Sequence, residues 1–315
     1  MEQEMLSTRE VYGKTLVKIG TRWEKVVVLD ADLSKSTQSV MFAREYPQRF
    51  FNVGISEADM MGTAAGLAAS GFIPFASTFG VFATGRVYDQ IRNSIAYTGL
   101  NVKIVASHTG LSVGEDGASH QTLEDIALMR VLPNMMVVVP ADGRQTEQAV
   151  EALASYKGPA YLRLNRPKVP TVIPGDMPFE LGKAQILEAG KDLVFVATGT
   201  MVSAALEAAR EMGKEGVKAA VVNVHTIKPF DEALLIQVAE QAGAVVVAEE
   251  HSIIGGLGST VAEVLGESCP LPMLRVGVRD KFGESGSPQD LLEKYGLTAA
   301  KLVSAGKTVL SKKNR

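Results

Sequence analysis

Cysteine is almost absent: the 315 residues contain one, Cys269. A lone cysteine excludes a disulfide within the chain and any cysteine-based zinc site. It also fits a reducing cytosol. Histidine is sparse, at four residues, and aromatics make up 6%. Neither charge dominates, with 32 Lys+Arg against 35 Asp+Glu and a net charge of −3. Such a balance lacks the basic footprint of a nucleic-acid partner. Long apolar runs are missing too. VVVL at 26–29 and MMVVV at 135–139 are strand-length, well short of the ~18 residues that mark a membrane span. The N-terminal MEQEMLSTRE is polar and acidic, unlike a signal peptide. The expectation is a soluble cytoplasmic protein with no nucleic-acid or membrane partner. The one basic cluster, SKKNR at 311–315, is expected to fray.

What is present is a globular balance of 46% hydrophobic and 21% charged residues. The length suggests two domains at ~150 residues each. Short β-branched runs alternate with longer helical patterns. Strands are expected at 26–32, 49–56, 73–78, 102–107, 135–140 and 160–165, and helices at 58–71, 85–99 and 142–156. This alternation implies a parallel, doubly wound sheet. Prolines at 167, 170, 174 and 178 then break the pattern, because proline removes a donor and fixes φ. A second βα series follows, with strands at 192–199, 217–224 and 244–250, helices at 203–213 and 231–243, and a glycine-rich turn GGLGS at 255–259 opening a helix at 260–267.

Several residues have chemical potential, each with a plainer reading beside it. Glu57 stands between an apolar strand and a small-residue helix. Burial there would favour its protonated form, or it is a helix-start acid favoured by the dipole. Phe79 and Phe82 would stack on a flat ligand or simply fill core. The loop ASHTGLSVGEDGASHQ at 106–121 holds His108, Glu115, Asp116 and His120. A glycine-rich loop after a strand is where open α/β sheets bind ligands, and histidines there suit proton transfer. The twelve-residue gap between them does not match a metal motif. Arg9, Ser36 and Arg166 would contact an anion or act as surface and capping residues. GGLGS lacks the dinucleotide spacing, and His225 and His251 read as structural. Small residues along 58–71 serve either tight packing or a subunit interface.

Together DADLSKST, GISEADMMGTAAGLA, FASTFGVF, SHTGLSVGEDGASHQTLEDIALMR, PNMMVVVPAD and GPAYLRLNRP resemble transketolase, from about Arg9 to the C-terminus. The resemblance implies two doubly wound α/β domains: a thiamine-diphosphate pyrimidine-binding domain at 1–168, and a transketolase C-terminal domain at 183–315, joined by a Pro-rich linker at 169–182. It implies transfer of a two-carbon ketol unit from a ketose phosphate to an aldose phosphate. The GDG motif with which such enzymes hold diphosphate and Mg²⁺ is missing; DG pairs occur only at 116–117 and 142–143. The resemblance therefore implies a split enzyme. A separate N-terminal transketolase subunit would carry GDG, the diphosphate and Mg²⁺ (or Ca²⁺), with no metal ligand in this chain. The family's active sites lie between subunits, which implies self-association through the pyrimidine-binding domain.

The resemblance also implies residue roles. Glu57 would hydrogen-bond the aminopyrimidine ring of the cofactor and favour its imino form, which deprotonates the thiazolium. Phe79 and Phe82 would pack on that ring, and Asp32 and Leu33 would line the cofactor. Asp116 would contact a sugar hydroxyl, and His120 would contact the donor and assist proton transfer. Arg9, Ser36, His108 and Arg166 would hold the sugar phosphate, arginine's planar fork pairing with two phosphate oxygens. Between Phe82 and Arg86 the chain reads ATG, a departure from many relatives, and no site residue is assigned there. Alternatives are the matching half of a deoxyxylulose phosphate synthase or 2-oxo acid dehydrogenase, or a non-catalytic binding module of the same shape.

Overall fold

The computed structural model describes residues 4–313. Strand β1 (Met5–Ser7) leads into helix α1 (Thr8–Arg22). The series continues with β2 (Val26–Asp30), α2 (Ser34–Thr37), α3 (Val40–Glu45), β3 (Phe50–Asn52), α4 (Glu57–Ala69), β4 (Ile73–Phe79), α5 (Gly80–Thr84) and β5 (Lys103–Ser107). Next come α6 (Asp125–Arg130), β6 (Met136–Val138), α7 (Gly143–Ser155) and β7 (Ala160–Arg163). The second half holds β8 (Lys168–Pro170), β9 (Gln185–Glu188), β10 (Leu193–Ala197), α8 (Met201–Lys214), β11 (Ala219–Asn223), β12 (Thr226–Lys228) and α9 (Glu232–Ala242). It ends with β13 (Val245–Ser252), α10 (Leu257–Ser268), β14 (Met273–Val278), α11 (Pro288–Tyr295) and α12 (Ala299–Lys313).

Two sheets organise these elements. The first has the order β12-β6-β7-β5-β4-β2-β3, parallel except at the β12 edge. Strands β2, β4, β5 and β7 are buried at every residue, as strands covered on both faces must be. Val26 and Val28 pack toward α1 and α7, whereas Val27 and Leu29 pack toward α4. The chain reverses its direction of travel across the sheet between β2 and β4. The crevice outside the carboxyl ends of two such strands is the usual ligand position. The second sheet has the order β14-β13-β10-β11-β9, parallel except for β9. Two α/β domains are thus present. They share one apolar layer, in which Val224 and Ile227 join Val137 and Val139.

Several local expectations are corrected. The strand expected at 26–32 ends at Asp30, because Asp32 takes a left-handed φ of 64°. The strand expected at 49–56 is confined to Phe50–Asn52, and an irregular turn leads to Glu57. The helix expected at 85–99 is instead a turn at 85–87, directly after α5, leading into a π-helical stretch, Gln90–Ala96. The basic tail does not fray up to Lys313, whose ammonium donates to the Ala242 carbonyl at 2.7 Å; residues 314–315 lie outside the described residues. On α4 the tight-packing reading holds on one face. Ala64 and Ala65 face the core, while Gly62 and Gly66 have open space where a side chain would begin.

The proline-rich stretch is tied down. Its strand β8 pairs antiparallel with β1. Asp142, fully buried, caps α7 by accepting from the Gln145 amide and also accepts from the Val172 and Ile173 amides, each at 2.8 Å. Asp142→Ala would leave three amides without their partner. The expected loss is about 2–4 kcal/mol of unfolding free energy, measured by urea denaturation, with a smaller loss for Asp142→Asn.

Candidate active site

Five strand ends build one surface. Asp32, Leu33 and Ser36 follow β2, Glu57 follows β3, Phe79 and Phe82 stand at the end of β4, His108–His120 follow β5, and Arg166 follows β7. The β2 end is shaped by Asp30, a buried carboxylate that accepts from the Leu33 amide at 2.6 Å and from the Thr37 and Ser39 hydroxyls at 2.8 and 2.9 Å. Burial pushes the Asp30 carboxyl up from its ordinary range. The turn beyond it is closed by Asn52, whose Oδ1 accepts from the Asp32 amide at 3.1 Å.

Glu57 opens α4 and is buried. Both sequence readings meet here, since a helix-start carboxylate is also out of solvent. Its Oε1 accepts from Arg86 Nη1 at 2.8 Å. The Arg86 guanidinium lies 4.0 Å over the Phe82 ring, a cation–π geometry. Phe82 stacks with Phe79 at 6.0 Å, and Phe79 stacks on His108 at 3.9 Å. His120 meets Phe82 edge-on at 5.5 Å. Glu57, both phenylalanines and both histidines therefore form one run of contacts. Arg86 is the member that sequence reasoning missed. The departure from many relatives at ATG, 83–85, left no site residue assigned there.

The opposite end is cationic. Arg9 Nη1 donates to the Ser36 carbonyl at 2.8 Å, while its Nε is buried without a partner among the described residues. Arg166 donates to the Val113 carbonyl, and to Glu115 at 2.9 Å. Arg9, Arg166 and Lys168, with Ser112 and the acidic Glu10 and Glu115, line a hollow of about 370 Å³. The Ser112 hydroxyl is buried there and has no partner among the described residues. Ser112 and Lys168 carried no sequence signal. His108 sits left-handed at φ 55°, with Nδ1 3.0 Å from the Ser107 hydroxyl. Burial, then the charges of Arg9, Arg166 and His120, lower its pKa to about 3. At neutral pH it is an uncharged hydrogen-bonding group. His120 Nδ1 is 3.0 Å from the Ser119 hydroxyl, which leaves its other ring nitrogen for a ligand. Asp116 is exposed at the rim and makes none of these contacts.

The remaining candidates are structural. His225 stacks on Phe179 at 4.2 Å. His251 Nδ1 donates to the Ser252 carbonyl at 2.7 Å. The GGLGS turn presents the Leu257 and Gly258 amides to the Glu249 carboxylate at 2.7 and 2.8 Å, so the anion at that helix start is the protein's own. Among the described residues no three His, Cys, Asp or Glu side chains converge to hold a metal ion.

Comparison with known proteins adds three relatives and two family patterns. The pattern of the transketolase pyrimidine-binding domain matches residues 4–171, and that of the transketolase C-terminal domain matches residues 182–302. A protein of Methanocaldococcus jannaschii described as a transketolase C-terminal section is 49% identical over 292 residues, 92% of each chain. The 6-deoxy-6-sulfo-D-fructose transketolase subunit SqwH of a Clostridium species is 45% identical over 306 residues, 97% of this chain and 95% of that one. A solved split gene transketolase, an inactive β4 tetramer, superposes with TM-score 0.91 at 56% identity, over 97% of this chain and 99% of the other.

The buried histidines set a pH dependence. His108 and His225 have folded pKa values lowered to about 3 and about 4, below the ordinary 6.5 that the unfolded chain regains. The unfolded state takes up protons first, so their contribution is full above pH 6.5 and is lost as pH falls toward 4. Between pH 7 and 5 each should cost about 2 kcal/mol. Urea titrations at the two pH values check this, and His108→Asn should remove about half of the difference.

Proposed function

The chain belongs to the transketolase family, and we propose that it is the C-terminal subunit of a split transketolase that moves a two-carbon ketol unit from a ketose phosphate to an aldose phosphate. The observation that carries this reading is the single run of contacts from Glu57 through Arg86, Phe82 and Phe79 to both loop histidines. It ends beside Arg9 and Arg166, whose charges act on His108.

The residues fit thiamine diphosphate at its pyrimidine end. A buried carboxylate beside stacked aromatic rings suits a flat heterocycle with polar edges. Thiamine diphosphate, when bound, supplies the nucleophilic carbon that carries the ketol unit. Glu57 would hold the pyrimidine edge, Phe79 and Phe82 its face, and Asp32 and Leu33 would line the approach. The diphosphate and Mg²⁺ (or Ca²⁺) would be held by an N-terminal subunit with the GDG motif. The split relative and its β4 assembly support a separate partner and self-association, which the pyrimidine-binding domain would mediate.

At the substrate end the division of labour follows from charge. Arg9 and Arg166 would pair with the terminal anion, and the Ser36 turn would orient Arg9. Neutral His108 would hydrogen-bond the sugar phosphate without adding a third positive charge. His120 would receive or return a proton at a sugar hydroxyl, and Asp116 would contact a hydroxyl from the rim. A sulfonated ketose is a second donor class, favoured by the 45% identical sulfofructose transketolase subunit. A sulfonate carries one negative charge where a phosphate carries up to two, so the arginine pair accepts both.

Co-expression with an N-terminal transketolase subunit should give ketol transfer that depends on thiamine diphosphate and Mg²⁺. Phosphorylated and sulfonated donors offered in parallel would rank the two substrate classes. Glu57→Ala should abolish turnover with an unchanged circular dichroism spectrum. Full turnover in that variant, or none in the wild-type complex, would sink the assignment.

A further inference from the structure

The site loop does not hang free. From Gly110 to Leu123 it is seated on the C-terminal domain. In the second sheet the chain reverses between β10 and β13, so the ligand crevice of an open α/β sheet lies outside their carboxyl ends, between Thr200 and Glu250. That crevice holds the loop. Leu111, fully buried, packs in the apolar cluster of Ala197, Val246 and Ala248. Glu250 Oε1 accepts from the Ser112 amide at 2.7 Å, and Oε2 accepts from the Thr200 hydroxyl at 2.8 Å and from Asn165 Nδ2 at 3.5 Å. Any side chain at Gly110 would collide with the Glu250 carboxylate. Farther along, Gln121 Nε2 donates to the Glu284 carbonyl at 2.9 Å, and the Ser252 amide donates to the Leu123 carbonyl at 2.8 Å.

We propose that the C-terminal crevice is an internal dock for the site loop, and that Glu250 is the positioning residue that sets its anion-binding end. The proposal rests on the transketolase reading above. Ser112, held by Glu250, forms part of the wall of the hollow between Arg9 and Arg166, with its hydroxyl buried behind that wall and unpartnered among the described residues. The next residue, Val113, presents its carbonyl to the Arg166 guanidinium. One carboxylate in the second domain therefore fixes a wall of the hollow and, through one peptide, the arginine that would meet the substrate anion. The pyrimidine end, Glu57 with Phe79 and Phe82, stands on other strand ends. A change at Glu250 should separate the two ends functionally.

Hydrogen–deuterium exchange on the chain alone and kinetics of the complex with its N-terminal subunit test this together. In Glu250→Ala, amides of 108–121 should exchange about tenfold faster while those of β10 and β13 keep their protection. KM for the sugar phosphate should rise about tenfold, with the affinity for thiamine diphosphate within about twofold. Glu250→Gln keeps one oxygen for the Ser112 amide and should recover most of both effects. Thr200→Val removes one donor to the same carboxylate and should give a smaller increase in the same segment. The dock is overturned by unchanged loop exchange in Glu250→Ala, by faster exchange spread evenly over the chain, or by a looser loop with unchanged KM. If Glu250→Ala does not fold, Glu250→Gln and Thr200→Val decide by the same readings. Absence of ketol transfer in the wild-type complex would count against the proposed function, while the exchange comparison would still decide the dock.

Discussion

The buried ion pair between Arg163 and Asp125 holds the arrangement together. Arg163 Nε meets Asp125 Oδ2 at 2.7 Å, the Tyr161 hydroxyl donates to the same oxygen at 2.6 Å, and neither charged side chain reaches solvent. Burial pushes the Asp125 carboxyl up, but Arg163, His251 and these hydrogen bonds together hold it below its ordinary value. The second arm of Arg163 donates to the Glu250 carbonyl at 3.0 Å, so the pair reaches across the domain boundary. Removing one member of such a pair typically costs about 3–5 kcal/mol, because the other charge stays buried without compensation. The strand end that carries Glu250 is thereby registered against β7, and the crevice beneath the site loop has one position.

On that base the site divides into two electrostatic regions. Around Glu57 a single carboxylate faces aromatic rings and one guanidinium. Around His108 burial, reinforced by two arginines, keeps the imidazole uncharged. Phe79 stands between, packed on one side by Phe82 and on the other by His108. Two non-glycine residues in left-handed conformation, Asp32 and His108, lie at the ends of β2 and β5. Such conformations persist where surrounding bonds over-determine them. Here those bonds come from Asn52 and Ser107.

Much of this was legible in the chain because burial leaves marks on it. Strands covered on both faces must be apolar throughout, so VVVL and IPFAST announce themselves. Residues that reach a shared crevice lie just past such strands, which is why Glu57, Phe79, His108 and Arg166 could be named. Helix α1 escaped the reading although Tyr12, Leu16 and Ile19 share one buried face; its polar positions masked the period. The stretch after Phe82 carried no assigned site residue because ATG departs from many relatives, and its helical turn starts at Gly80, packed against Thr109 and Thr122. Arg86 was lost with it.

The sequence by itself determined the alternation of strands and helices, the lone cysteine's exclusion of disulfides, and the set of polar residues at strand ends. These follow from local periodicity and residue chemistry, which a linear chain carries in full. Only the tertiary structure decided which of those residues meet. It paired Glu57 with Arg86, stacked His108 on Phe79, added the three-residue strand β12 to the first domain's sheet, and seated the site loop in the second domain's crevice. Each of these joins residues distant along the chain through contacts of a few ångströms, and no spacing within the chain encodes such a distance.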